Sequence, residues 1–410
     1  MSLPLQFVGL YYQFMSMFNT NKNLTVITGK NFSGRSNYLK SIIGDTENSI
    51  YIGEQPASTI SGIFPTVESE IQLHSNSANQ ELLAEVQQLF NFYGFEKHYD
   101  KNPFTLSGGE QTILAILSTL LLQSKKLAID TTLEQLNRAW REPLLKAIQN
   151  GGFKNTEVLL ADNRTDEYKL NSFTEKVVNN TEENKFVFSN PQLPLNFETT
   201  VQPQKIELSN IHFFYNKKHA IIKGLNLELT PSNIYHLKGS NGVGKTTLAK
   251  ILTGILKIKS GTVLLNDKSY NPFTFPGQIV GYSFQNPDEQ LFSSTIENEI
   301  LSYRKNESTE NTKRREDYLE MFGLQNIRKK HPAEMPFTIR KRISLASTLA
   351  LDRAWYILDE PTLGQDSEFS SFLSQVLLEL TKLGKGVIVI SHSEKFVSKL
   401  NAKVLNLNNL

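Results

Sequence analysis

The chain has 410 residues, 39% apolar and 20% charged, the profile of a globular protein of two or three domains rather than a disordered one. A formal net charge of +2 gives no strongly basic face for nucleic acid, and the absence of cysteine excludes disulfides and thiolate metal sites. No run of 18 apolar residues exists, so no segment is expected to span a membrane, and the opening MSLPLQFVGLYYQF reads as a strand rather than a signal peptide.

In chain order, the first chemical feature is a glycine loop, Gly29-Lys-Asn-Phe-Ser-Gly34-Arg35-Ser36. YIGEQP follows, with Gln55. Leu106-Ser107-Gly108-Gly109-Glu110 then opens the helical stretch EQTILAILSTLLL. Small residues at the start of a helix leave backbone N–H groups, and here the Ser107 hydroxyl, free to bind an anion. KLAID ends on Asp130, with Thr131 next, and VLLADN carries Asn163. EKVVNNTEENKFVFS has two β-rich runs around a polar turn and reads as a hairpin. PQLPLNFETTVQPQ, residues 191–204, is proline-rich and aperiodic, which marks a linker.

Beyond the linker, NIYHL reads as a buried strand running into Gly239, Ser240, Asn241, Gly242, Val243, Gly244, Lys245, Thr246 and Thr247, then a helix. This is the phosphate-cradling pattern GxxxxGK[ST] between a strand and a helix. Its glycines let successive N–H groups face a phosphate, and the helix dipole adds positive potential. Lys245 is expected to neutralise the β- and γ-phosphates and Thr246 to offer its hydroxyl to Mg²⁺. KSGTVLLNDKSYNPF reads as a β-hairpin. Gln285, between a strand and NPDEQ, suits a movable ligand for Mg²⁺ and water. The strand WYILD ends on Asp359, expected to hold Mg²⁺ through water, and Glu360, expected to polarise the attacking water. His392, after VIVIS, falls where a γ-phosphate sensor belongs.

These segments form an internal repeat. Asp130 to Asp359 and Asn163 to His392 are both 229 apart, Gln55 to Gln285 is 230, but Gly29 to Gly239 is only 210. The first half has therefore lost about twenty residues between its glycine loop and Gln55. The repeat divides the chain into modules at 1–190 and 205–410 around the linker, each an α/β core with a largely parallel sheet.

With LSGGE in the first half, the order of these pieces resembles the ABC ATPases, over nearly the whole chain and twice. The resemblance implies, per module, a P-loop NTPase core of the RecA type, an antiparallel β subdomain and a helical subdomain carrying the signature. It also implies ATP with Mg²⁺ as cofactors, and Tyr215 as the aromatic that stacks on adenine. In that family two modules pair head to tail, each nucleotide lying between one P-loop and the partner's signature. The first module departs from the pattern at Arg35 for lysine, Thr131 for the catalytic glutamate and Asn163 for histidine, leaving Gly29, Gly34, Ser36 and Asp130 of a degenerate site. A guanidinium is not equivalent to an ammonium in a closed loop. The second module departs at its signature, where Met335-Pro336-Phe337 has no glycine. The losses sort so that the good P-loop faces the good signature, Ser107 to Glu110, when the halves of one chain pair.

FQNPDEQLFSSTIENEI (284–300), its fainter echo EQPASTISGIFPTVESEI (54–71), and ADNRTDEY (161–168) resemble the energy-coupling-factor ATPases of vitamin and metal-ion uptake. That implies a peripheral subunit on the cytoplasmic face of the membrane. Its partners would be a polytopic transmembrane coupling subunit and a substrate-binding membrane subunit, with no nucleic acid. A soluble tandem ABC factor acting on ribosomes is the alternative.

Overall fold

The computed structural model describes residues 24–29, 33–75, 78–149, 156–163, 168, 170, 173–178, 201–216, 219–240, 242–300 and 309–409. They fall in two compact units, Met1–Lys185 and Phe186–Leu410. The strand expected at the start, most of the linker (191–200) and the second run of the expected hairpin lie outside the described residues.

In the first unit the strands are β1 (Leu24–Thr28), β2 (Ser49–Ile52), β3 (Lys126–Asp130), β4 (Glu157–Ala161) and β5 (Thr174–Val177). They form a parallel sheet in the order β2-β3-β4-β1-β5. LTVIT, KLAID and EVLLA are near-continuous apolar runs because interior parallel strands are covered on both faces. β5, the exposed edge, reads TEKV, with charges that discourage further pairing. It is the first run of the expected hairpin, and the pairing it makes is parallel, to β1. Helices Val67–Ser75, Gln80–Phe92 and Gly108–Leu121 form the helical part, and the last is buried along most of its length.

The second unit repeats this plan with β8 (Ile234–Lys238), β11 (Val280–Ser283), β12 (Trp355–Asp359), β13 (Gly386–Ile390) and β14 (Lys403–Asn406), in the order β11-β12-β13-β8-β14. The signature helix Gly108–Leu121 matches Phe337–Ala350, 229 positions on, and the same offset relates β3 to β12, β4 to β13 and β5 to β14. β1 and β8 are 210 apart. The sequence missing from the first unit is visible as a shortcut. Gly44, which ends a helix, is five positions from Ser49 of β2, whereas Leu252 and Val280 are 28 apart. The second unit uses that length for β9 (Ser260–Leu265) and β10 (Lys268–Ser269), the expected hairpin. With β6 (Ile206–Asn216) and β7 (His219–Leu229) they make an antiparallel sheet, β10-β9-β6-β7. Among the described residues of the first unit there is no antiparallel sheet.

The second core is keyed by one close approach. Trp355, fully buried, lies opposite Gly386 in the β12–β13 register, and its indole Nε1 donates to Gln204 O at 2.6 Å. A Cβ on Gly386 would sit 2.3 Å from the indole ring. Gly386→Ala should therefore destabilise the second unit by about 1–3 kcal/mol, read by urea unfolding. Glu157→Ala, at the matching position of the first unit, where Glu157 makes only a 3.5 Å surface pair with Lys126, should shift stability by less than about 0.5 kcal/mol.

Candidate functional site

Ligands of open parallel sheets gather at the carboxyl ends of the strands. In the second unit those ends bring together residues far apart in sequence. β8 passes into the glycine loop and the helix Lys245–Leu252, whose N-cap, Gly244, has φ 108°. Gly242 has φ 76°, so both turns need the left-handed backbone that glycine adopts without strain. Lys245 Nζ donates to the loop's own carbonyls, Gly239 O at 2.9 Å and Ser240 O at 3.0 Å. Burial pushes its pKa down, partly offset by Glu360 and Asp359. Asn241 lies outside the described residues.

The Thr246 hydroxyl donates to Asp359 Oδ2 at 3.0 Å, and the Tyr282 hydroxyl donates to the same oxygen at 3.0 Å. Burial, and then the neighbouring Glu360 charge, push the Asp359 pKa up. Glu360 has φ 45° and its N–H donates to Ile390 O at 2.8 Å, which turns its side chain off the end of β12. His392 Nε2 lies 3.8 Å from Glu360 Oε1, and the His392 N–H donates to Glu360 Oε2 at 3.3 Å. Lys245, Thr246, Asp359, Glu360 and His392 thus share one site. A buried carboxylate beside a threonine hydroxyl suits a hydrated divalent cation, so the donor set fits Mg²⁺.

Tyr215 lies on β6, 62% exposed, with its hydroxyl 3.3 Å from Thr247 Oγ1, so its ring stands open beside the loop helix. Gln285 follows β11, half-buried, and its carbonyl accepts from Lys341 Nζ at 3.1 Å.

Lys341 is a residue that sequence reasoning missed. It is fully buried, and its Nζ also donates to Phe284 O at 2.6 Å and Asp359 O at 2.8 Å. It therefore ties the helix Phe337–Ala350 to the Gln285 segment and to the end of β12. Burial lowers its pKa to about 8, against the raising effect of Asp359 and Glu360. The signal was present as FTIRKRISLASTLA, a basic triplet inside an otherwise buried helix. Asn408 was missed too: its Oδ1 accepts from Ser240 N at 3.2 Å and Ser240 Oγ at 3.0 Å.

In the first unit, Ser107 caps the signature helix, and Gly108, Gly109 and Glu110 form its first turn. The expectation of a free serine hydroxyl is corrected. Glu110 Oε2 accepts from both Ser107 Oγ and Ser107 N, each at 2.8 Å, because a glutamate three residues past the cap can reach back to it. Glu110 Oε1 lies 3.1 Å from His98 Nε2. At the matching place in the second unit Pro336 caps the helix and Phe337 is buried, its ring so close to Gly364 that a Cβ there would lie 3.3 Å away.

The first unit's own strand ends hold a different set. The Tyr51 hydroxyl donates to Asp130 Oδ2 at 2.6 Å, as Tyr282 does to Asp359. Gly34, at φ 84°, caps the helix that starts with Arg35 and Ser36, and Gly29 has φ 153°. Arg35 Nη1 donates to Asp162 O at 3.3 Å and Nη2 to Asn163 Oδ1 at 2.5 Å. Thr131 holds the glutamate's place at φ 57°.

The ABC transporter family profile matches residues 15–134 and 222–363, one stretch in each unit. A protein of Clostridium tetani described as an ABC transporter ATP-binding protein is 23% identical over 79% of this chain and 84% of its own length. The energy-coupling factor transporter ATP-binding protein EcfA1 of Thermotoga maritima is 34% identical over 50% of this chain and 79% of its own. The archaeal ribosome recycling factor aABCE1, solved with the stalk protein aP1, aligns with a TM-score of 0.63 over 94% of this chain and 83% of its own, at 17% identity, a likeness of fold alone. No helix among the described residues is long and apolar enough to cross a membrane. With matched sheets, a phosphate loop and a profile match in each half, the chain belongs to the ABC transporter family, as two ABC ATPase modules in tandem that resemble the energy-coupling-factor ATPases.

Proposed function

We infer that this chain is the ATP-hydrolysing subunit of a membrane importer of the energy-coupling-factor type, with one competent and one degenerate nucleotide site. The observation that carries the asymmetry is the Glu360–His392–Asp359–Thr246–Lys245 cluster, whose counterparts in the first unit are Thr131, Asn163, Asp130, Ser36 and Arg35. ATP would lie with its adenine on Tyr215 and its phosphates along the loop from Gly239 to Thr247. Mg²⁺ would be held by Thr246 and Asp359 with Gln285, and would supply charge neutralisation at the phosphates. Lys245 would leave the Gly239 and Ser240 carbonyls for the phosphate. Glu360 would accept a proton from the attacking water, which His392 and Glu360 hold between them. The intact signature at Ser107 would complete this site when modules pair head to tail, the Ser107 hydroxyl turning from Glu110 to phosphate.

Membrane docking is supported by a surface at which each unit uses a buried glutamate at the same repeat position to hold a loop. In the first unit Glu70, buried, accepts from Ser61 N and Ser61 Oγ, both at 2.6 Å. In the second the matching Glu299, also buried, accepts from Phe292 N at 3.1 Å and Ser293 N at 2.7 Å. Each carboxylate holds a loop that exposes apolar side chains: Ile63, 74% exposed, with Phe64 beside it in the first unit, and Phe292, 63% exposed, at the position matching Ile63 in the second. Paired apolar knobs on rigid loops suit apolar sockets on a membrane subunit's cytoplasmic segments. The identity with EcfA1 supports the same reading; the domain limits 1–190 and 205–410 are those of the two proposed modules.

Glu360→Gln should lower kcat for ATP hydrolysis by about 10²–10⁴-fold while leaving ATP binding intact, whereas Thr131→Ala should leave turnover within twofold. Steady-state phosphate release checks both, and unchanged turnover in Glu360→Gln would sink the site assignment. Ile63→Glu with Phe292→Glu should release the protein from membranes with the isolated ATPase rate unchanged. Purification from detergent extracts is expected to bring down a polytopic membrane protein; ribosomal proteins instead would support the soluble alternative.

A further inference from the structure

The degenerate site of the first unit is rebuilt rather than merely eroded. Four positions around it carry ionisable side chains, Glu134, Arg141, Asp162 and Tyr168, where the second unit, 229 residues on, has the non-ionisable Leu363, Ser370, Ser391 and Val397. All four are buried, Glu134 completely. Buried charges are costly unless they are paired and hydrogen-bonded. Glu134, Asp162 and Tyr168 make hydrogen bonds, while Arg141, whose Nε and Nη1 have no hydrogen-bond partner among the described residues, is held against the Tyr168 ring. Tyr168 OH donates to Asp162 Oδ2 at 2.5 Å, and the Arg141 guanidinium lies 4.4 Å from the centre of the Tyr168 ring. Glu134 Oε1 accepts from Asn163 N at 3.0 Å and Asn163 Nδ2 at 3.1 Å. Asn163 is thereby oriented with its Oδ1 toward Arg35, and the Asp162 carbonyl takes the other arm of the same guanidinium.

The loop cations of the two units are consequently held in different ways. Lys245 rests on carbonyls of its own loop, groups that a phosphate replaces by occupying the loop. Arg35 reaches across to the end of β4, where a planar fork meets two acceptors that are themselves fixed by Glu134 and by the strand. Pulling it out takes the donor from the half-buried Asn163 Oδ1 and from the Asp162 carbonyl, whereas Lys245 leaves only carbonyls of its own loop.

We propose that Arg35 latches the first unit's glycine loop to Asn163 and Asp162, so that this unit takes no Mg–ATP and keeps its fold by an internal charge network in place of nucleotide. The proposal rests on the reading of the second unit as the nucleotide site.

The test is equilibrium binding of Mg–ATPγS to the full chain, counted per chain by calorimetry, with the labelled peptides mapped after photo-crosslinking of an azido-ATP. One equivalent is expected in the wild type, labelling only the second unit, and none in Lys245→Ala. Arg35→Lys restores the complete GxxxxGKS text at Gly29–Ser36 and removes the second arm of the latch; a second equivalent is expected, with label in the first unit. Asn163→Ala, which keeps the arginine but removes its acceptor, should also raise the count above one. Two equivalents in the wild type, or one surviving in Lys245→Ala with its label in the first unit, would overturn the latch. A folded Arg35→Lys and a folded Asn163→Ala both staying at one equivalent would overturn it as well. No binding at all in the wild type would instead overturn the reading of the second unit.

Discussion

The hydrogen bond from the Thr246 hydroxyl to the Asp359 carboxylate is the constraint on which the second unit's site depends. It ties the first turn after the glycine loop to the end of a strand buried along its whole length. A carboxylate at that depth needs donors and a neighbouring cation to stay ionised, and it has Thr246, Tyr282 and Lys341 around it. The sheet order supplies the rest. β13 lies between β12 and β8, so the residues that follow β13, Ser391 and His392, are carried into the gap between the acid and the loop. The direct β12–β13 pairing is what brings Glu360 and His392 together.

Lys341 extends that constraint outward. Its three backbone acceptors belong to two segments, Phe284–Gln285 and Asp359, so one ammonium fixes the distance between the Gln285 segment and the strand end. Gln290 adds a second tie to the same helix, donating to Ser347 Oγ at 3.1 Å and Thr348 Oγ1 at 2.9 Å. Movement of the helix Phe337–Ala350 must therefore carry the Gln285 segment with it. In the first unit the residue matching Lys341 is Thr112, whose hydroxyl donates to Gly108 O in its own helix at 2.9 Å. The mechanical link belongs to the unit that carries Glu360 and His392.

Much of this was legible in the sequence because it is local. GxxxxGK[ST] specifies loop and helix together, WYILDE specifies a buried strand ending on two acids, and the constant offset of 229 announces matched units. What was illegible depends on contacts across the sheet. Nothing near Glu134, Arg141 or Tyr168 in the sequence announces a network, since the residues are scattered through three segments and each looks like a solvated polar group. The Ser107 hydroxyl was misread for the opposite reason: Glu110 was taken as part of an anion site, while the local capping geometry turns it back on the serine. Lys341 was passed over because a basic residue on a helix is usually a surface residue.

Thr131 limits what backbone strain can say about chemistry. A β-branched residue at φ 57° is costly, about 1–3 kcal/mol, and such outliers are commonly taken as marks of an active site. Glu360, at φ 45°, would fit that view. Yet Thr131 keeps the same left-handed turn after the carboxylate has gone, with its N–H donating to Ala161 O at 2.6 Å as the Glu360 N–H donates to Ile390 O at 2.8 Å. The turn is how the chain leaves the third strand and bonds to the fourth, in either unit. The strain thus belongs to the fold, and it says nothing by itself of the chemistry of the side chain raised there.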